Sequence, residues 1–213
     1  PKVAAMQARG ETEAVRRHMA LSMELILCMT SAMAFGLAAV AREFAPLFFG
    51  GDFAYSGVLM IPLGFTLIFI GFANVIRTQW VLPQSRDKIF VRSVTAGAVV
   101  NLIVNSLMIP RFGAMGAVVG TLMAEFAVPF AQWVMLRREL PYRRYLRMVM
   151  DYALLGLIMV AAVRGAAAVL PGHGWLHLAL EVLLGGAVYG GGCLVFWKLT
   201  HRKDVLRVLK LKK

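Results

Sequence analysis

Residues 114–147 read AMGAVVGTLMAEFAVPFAQWVMLRRELPYRRYLR, and this stretch decides the fold. Its first part, Ala114–Leu136, holds one charge, Glu125. The remainder holds Arg137, Arg138, Arg143, Arg144 and Arg147. The hydrocarbon core of a bilayer is about 30 Å thick and is crossed by about 20 helical residues rising about 1.5 Å each. Ala114–Leu136 has that length. Strand edges or loops would leave backbone groups without partners in lipid, so the stretch must be a helix.

Five more apolar stretches flank it: Met19–Val40, Val58–Ile76, Ser93–Ile109, Tyr152–Leu170 and Trp175–Trp197. Ser93–Ile109 is at the short end. The expected fold class is all-α, a polytopic membrane protein with a bundle of six transmembrane helices. Charge sorts between the segments that join them. Lys2, Arg9, Arg16 and Arg17 precede the first span. Arg77, Arg86, Lys88 and Arg92 lie between the second and third, and the five arginines above between the fourth and fifth. Seven more basic residues follow the sixth. The alternate loops hold only Arg42 and Arg111, and Arg164 lies inside the fifth span. Basic residues accumulate on the cytoplasmic side, which predicts that both termini of the segment are cytoplasmic.

Composition agrees: 60% of residues are hydrophobic and 16% charged, against about 25% charged in soluble domains. The net charge of +12 belongs to loops, where it sets topology and attracts anionic lipid. No basic soluble domain is present to bind nucleic acid. Cys28 and Cys193 both fall inside spans and read as packing residues.

The chain opens on Pro1, and residues 1–17 are polar, basic and unlike a signal peptide. They read as a cytoplasmic loop from an N-terminal lobe missing from this sequence. Residues 18–198 form the six-helix lobe and 199–213 a basic cytoplasmic tail suited to lying on the membrane surface. The segment with Tyr142 and Tyr145 among arginines reads the same way.

Ionisable groups at membrane depth are costly and are candidates for function. Glu125 lies near the middle of its span, four residues before Pro129. Proline lacks an N–H, so the Glu125 carbonyl loses its helical partner, and a carboxylate with a freed carbonyl makes Glu125 the candidate for ion coupling. Glu24 and Glu181 lie a turn or two inside their spans, facing either the bundle interior or the interface. Asp151 suits the start of the fifth helix, where a carboxylate favours the helix dipole. Ser93, Gly97, Ala98, Asn101 and Asn105 share one helical face. Two asparagines facing lipid would lack partners, so that face packs on another helix or lines a hydrated cavity. Asn74 and Arg77 close the second span, where Arg77 either snorkels or meets an anionic ligand. Arg164 snorkels or pairs with an acid such as Glu181. His173, His177 and Glu181 recur every four residues, but Pro171, Gly172 and Gly174 put His173 in a turn, which argues against a metal row. No nucleotide loop, zinc-protease signature or Ser–His–Asp set is present, so no catalytic residue, metal or cofactor is expected.

The run NVIRTQWVLPQSRDKIFVRSVTAGAVVNLIVNSLMIPRFGAMGAVVGTLMAE, Asn74 to Glu125, is more specific. It resembles the C-terminal half of bacterial oligosaccharide and polysaccharide flippases, the Wzx-type branch of the multidrug/oligosaccharidyl-lipid/polysaccharide exporter superfamily. PKVAAMQARG at the start and EFAPLFFGGDF (43–53) resemble loops flanking that family's seventh helix. The resemblance covers most of residues 1–140; the last two spans match by hydropathy and position alone. It implies one lobe of a two-lobe transporter. Such a transporter moves a lipid-linked oligosaccharide between leaflets through a cationic cavity, often driven by an ion gradient. Combined with depth, it nominates Asn74, Arg77, Asn101 and Asn105 for substrate and Glu125 for the coupling ion. Implied partners are the lipid-linked oligosaccharide, membrane lipids and the N-terminal lobe. Rival readings are a drug/cation antiporter of the same superfamily, a membrane enzyme acting on lipid-linked sugars, and a packing subunit without transport of its own.

Overall fold

The structure, a computed structural model, describes Val3, Met6, residues 9–169, Gly172 and residues 174–200. The expected surface helix of the tail and His173 lie outside the described residues. Among the described residues, six helices are long and apolar enough to cross a membrane. They are α1 (Thr12–Phe49), α2 (Ala54–Ile76), α3 (Asp87–Phe112), α4 (Ala114–Leu136), α5 (Tyr142–Val169) and α6 (Trp175–Leu199). A 3-10 turn, Gly51–Phe53, precedes α2; a π-helical turn, Arg77–Val81, and a 3-10 turn, Leu82–Gln84, prolong it. The chain is a multi-pass helical membrane protein, as its hydropathy predicts.

Except for α4, which coincides with its apolar stretch, the helices outrun the apolar stretches at one end or both, because hydropathy marks only what lipid can hold while helical hydrogen bonding continues beyond it. The largest correction concerns α5. Its helix begins at Tyr142, so the expected surface segment around Tyr142 and Tyr145 is the first turns of a long helix. Tyr145, Met148, Tyr152, Met159 and Val163 are buried at helical spacing, while Arg143, Arg144 and Arg147 occupy the exposed side. Asp151 therefore sits inside the helix and does not cap it. The expected loops also shrink. α1 continues through Pro46 to Phe49 and is ended by Gly50, whose φ of 101° is left-handed and suits glycine. Between α3 and α4 only Gly113 remains, at φ 54°.

The chain divides into two compact units. The first holds Pro1–Leu27 and Thr66–Met148. Its centre is the α3–α4 hairpin, and glycines set how closely the two helices approach. A Cβ on Gly97 would lie 2.7 Å from Val128 Cγ2, one on Gly116 would strike the Met108 backbone, and one on Gly120 would strike Asn105 Oδ1. Small residues drive helix association in lipid because apolar burial gains little there. The other side of α3 exposes Val94, Leu102, Ile103 and Leu107, an apolar face suited to hydrocarbon or to another membrane helix.

Glu139, in the short α4–α5 connection, ties this unit at one end. Arg86 donates to it bidentately, with Nη2 2.9 Å from Oε1, and Trp80 Nε1 donates to Oε2 at 3.1 Å. The Arg16 guanidinium lies 6.0 Å from the Trp80 ring centre and donates to the Glu139 carbonyl at 3.5 Å. Residues from α1, the α2 extension and the α3 approach thus converge on one residue, Trp80 and Arg86 on its carboxylate and Arg16 on its carbonyl. Hydrogen bonds from Arg86 hold the Glu139 carboxyl below the usual carboxylate range; burial opposes this and the Trp80 N–H adds to it.

The second unit holds Cys28–Phe65 and Val149–Lys213. There α1 is packed by several neighbours. Gly57 of α2 meets the Ala41 backbone, Gly64 admits Leu37, and Gly156 of α5 leaves room for the Phe35 ring. Tyr189 of α6 donates to the Cys28 carbonyl at 2.8 Å, and the two cysteine Sγ atoms are 3.6 Å apart. Nothing in the local pattern pairs these cysteines, yet the fold makes them neighbours. Trp197 Nε1 donates to Tyr152 Oη at 2.9 Å, which satisfies a buried indole and a buried phenol together.

Candidate functional site

The five nominated residues all lie in the first unit. The α2 exit, NVIRTQW, carries two of them. Asn74 is exposed and its carbonyl accepts from Thr78 Oγ1 at 2.7 Å. Arg77 opens the π-helical turn, a widened geometry in which one extra residue enters the helical turn. Its guanidinium stands 5.0 Å from the centre of the Phe90 ring, and its buried Nε–H has no hydrogen-bond partner. A guanidinium resting on an aromatic face keeps its charge and most of its donors for another ligand.

The polar face of α3 divides between packing and chemistry. Ser93 and Gly97 are buried; Ser93 Oγ bonds back to the Phe90 carbonyl at 2.8 Å. Farther along, Asn105 Nδ2 donates to Asn101 Oδ1 at 3.0 Å. Asn105 fills the space left by Gly120, and its buried Oδ1 has no hydrogen-bond partner. An open groove of 370 Å³ runs over this part of α3, lined by Asn101, Leu102, Asn105, Ser106, Ile109 and Pro110. The face is packed near Ser93 and Gly97, and an open groove lies over it around Asn101.

Glu125 is half-buried on α4, and Pro129 is buried one turn later. Among the described residues, the structure joins Asn101 to Asn105 by a hydrogen bond but links neither to Asn74, Arg77 or Glu125 by one. Gln132 and Glu139 of this unit were not nominated. Gln132 of α4 is 1% exposed, donates at 3.4 Å to the Ala73 carbonyl of α2, and leaves its Oε1 without a partner. Glu139 organises the loop end described above. Gln132 carried a signal in sequence, an amide seven residues after Glu125 on the same helical face; Glu139 looked like one loop acid among arginines.

In the second unit Arg164 pairs with Glu43 at 2.7 Å, where Glu181 or headgroups were expected, and also reaches the Ala39 carbonyl at 3.4 Å. Glu181 faces the protein interior, as does Glu24 in the first unit; both are 4% exposed. His177 Nε2 lies 3.3 Å from Glu181 Oε1. Among the described residues, Glu43, His177 and Glu181 are the set of three whose ligand-type atoms come together, all within 4.8 Å.

No protein-family model and no curated protein matches this sequence. The fold does match a solved structure, the lipid II flippase MurJ in an inward closed conformation, with a TM-score of 0.76 and 15% sequence identity. The match covers 92% of this chain and 41% of that one. The chain therefore has the fold of part of that transporter and spans about two fifths of its length.

Proposed function

We propose that this chain forms one lobe of a transporter that flips a lipid-linked oligosaccharide across the cytoplasmic membrane for surface polysaccharide assembly, in the manner of the C-terminal half of a Wzx-type flippase. The likeness in fold to a lipid II flippase carries this reading, and the coverage of that longer chain supports an N-terminal lobe as partner. Both ends of the segment face the cytoplasm in this proposal, and the chain carries a substrate without making or breaking its bonds.

The chemistry of the load fits the first unit. A sugar headgroup with its phosphates loses many hydrogen bonds on entering hydrocarbon, each costing about 2–7 kcal/mol without replacement. Asn101 and Asn105 supply amide donors and acceptors in place of water. Arg77, with its unpartnered Nε–H over Phe90, supplies a charge whose planar fork suits phosphate oxygens. The same guanidinium disfavours the cationic drugs of an antiporter. Glu125 takes or releases a proton or metal cation and so biases two lobe arrangements, which requires that it bind the ion with different affinity in each.

The test is genetic and structural together. In the intact transporter, Arg77→Ala and Glu125→Gln are each expected to abolish surface polysaccharide and to leave lipid-linked precursor on the inner leaflet at unchanged protein level. Normal polymer with both substitutions would remove these residues from the mechanism.

A further inference from the structure

On either side of the transport residues in sequence, α1 and α6 bring two carboxylates and an imidazole together. Glu43 lies two turns before the end of α1, and His177 and Glu181 lie one turn apart near the start of α6. All three belong to the second unit. Their ligand atoms lie within 4.8 Å of one another. Two carboxylates at that range repel when both are ionised, unless a cation stands between them. Arg164 neutralises Glu43 from the α5 side at 2.7 Å, which leaves Glu181 uncompensated by any permanent positive charge in direct contact.

Glu181 is the second observation. It is 4% exposed, and neither of its oxygens accepts a hydrogen bond. A buried carboxylate that faces a second carboxylate and an imidazole is costly unless a proton or a cation is shared among them, and its Oε1 lies 3.3 Å from His177 Nε2. A Cβ on Gly172 would lie 2.6 Å from His177 Nδ1, so glycine there lets the ring sit with Nε2 turned towards Glu181. Around a tetrahedral first-row ion with ligands at about 2.0–2.2 Å, neighbouring ligand atoms lie roughly 3.4 Å apart. The Nε2–Oε1 separation of 3.3 Å already matches that edge. The Glu43 carboxylate, already within 4.8 Å of both, supplies the third ligand.

We propose that Glu43, His177 and Glu181 form a binding site for a divalent first-row metal ion that clasps the end of α1 to the start of α6. One imidazole with two carboxylates suits zinc and its neighbours and is poor for magnesium or calcium, which take oxygen ligands alone. Arg164, bound to one oxygen of Glu43, orients that carboxylate from outside the ligand set. A cavity of 330 Å³ borders the cluster, lined among others by Arg42, Glu43, Pro46 and His177. It supplies the route for the ion and the space for water in the remaining coordination positions. The site stands independently of the transport reading, since it shares no residue with it.

The test measures Zn²⁺ binding to the full chain in lipid nanodiscs by equilibrium dialysis and elemental analysis. One saturable Zn²⁺ per chain is expected, weakened at least tenfold by His177→Gln and by Glu181→Gln. Asp52→Asn, an exposed carboxylate near the same end of α1, is expected to change nothing. His177→Cys keeps a zinc ligand at the position and is expected to retain binding. X-ray absorption of the zinc-loaded wild-type chain is expected to show one imidazole among oxygen ligands. Absence of a saturable site, equal binding by the glutamine variants, or a zinc shell without imidazole would each overturn the assignment. So would loss of binding in a helical, monodisperse His177→Cys chain.

Discussion

A few side chains hold this protein's polar chemistry, and their partners decide what each does. Glu139 is the clearest case. Its bidentate bond to Arg86 and its bond from Trp80 lower its proton affinity in the folded chain, so its contribution to stability is complete above its unfolded value of about 4.3. That contribution is lost as pH falls through the lower folded value. Tm in detergent is expected to drop on acidification below about pH 4.3, and Glu139→Gln is expected to flatten that drop. Because both side chains are about one-third exposed, the substitution should cost only about 1 kcal/mol at neutral pH. The cysteines give a second expectation. With Sγ atoms 3.6 Å apart, Cys28 and Cys193 should cross-link under a membrane-permeant oxidant and link α1 to α6, as seen by peptide mapping. Failure of the pair to react while control cysteines at lipid-facing positions do would contradict the packing. Neither pairing was legible in the sequence. Sequence reading singled out the cysteines but not Glu139, and a partner 53 or 165 positions away leaves no trace in local pattern.

Among the elements, the α3–α4 hairpin is the one whose geometry follows most directly from composition. Its single connecting residue, Gly113, adopts a φ of 54°, and its close approach is set where Gly97, Gly116 and Gly120 leave out a Cβ. At Gly116 the atoms in the way belong to the Met108 backbone, so a larger side chain cannot be accommodated by a rotamer change. Gly116→Val is expected to separate the helices and to destabilise the chain by about 1–3 kcal/mol, measured by denaturation in mixed micelles. Unchanged stability would mean that the two helices do not touch there. The shared face of Gly97, Asn101 and Asn105 was visible in sequence. The length of α5 was not. Arginines around Tyr142 and Tyr145 look like a surface segment, whereas the buried tyrosines show that the helix had already begun. Hydropathy reports the lipid boundary, and a helix has no obligation to stop there.

At the scale of the whole molecule, the proposed orientation has a simple test. A reporter fused after Lys213 is expected to be active in the cytoplasm, and activity only outside the cell would reverse the topology. Six spans and their predicted sidedness follow from two local properties, apolar length and the sorting of lysine and arginine among loops. These act residue by residue, because lipid excludes unsatisfied backbone and charge wherever it meets the chain. The sequence by itself therefore determined the class of protein, the number of helices and the faces of α3. Only the tertiary structure decided that Arg164 meets Glu43, that Glu139 gathers Arg86, Trp80 and Arg16, and that His177 and Glu181 find a third ligand on a helix more than a hundred residues earlier. Such meetings depend on which helix packs beside which and at what height. Packing in the membrane is chosen by small-residue fit and polar satisfaction between distant segments, and that information exists only once the segments are brought together.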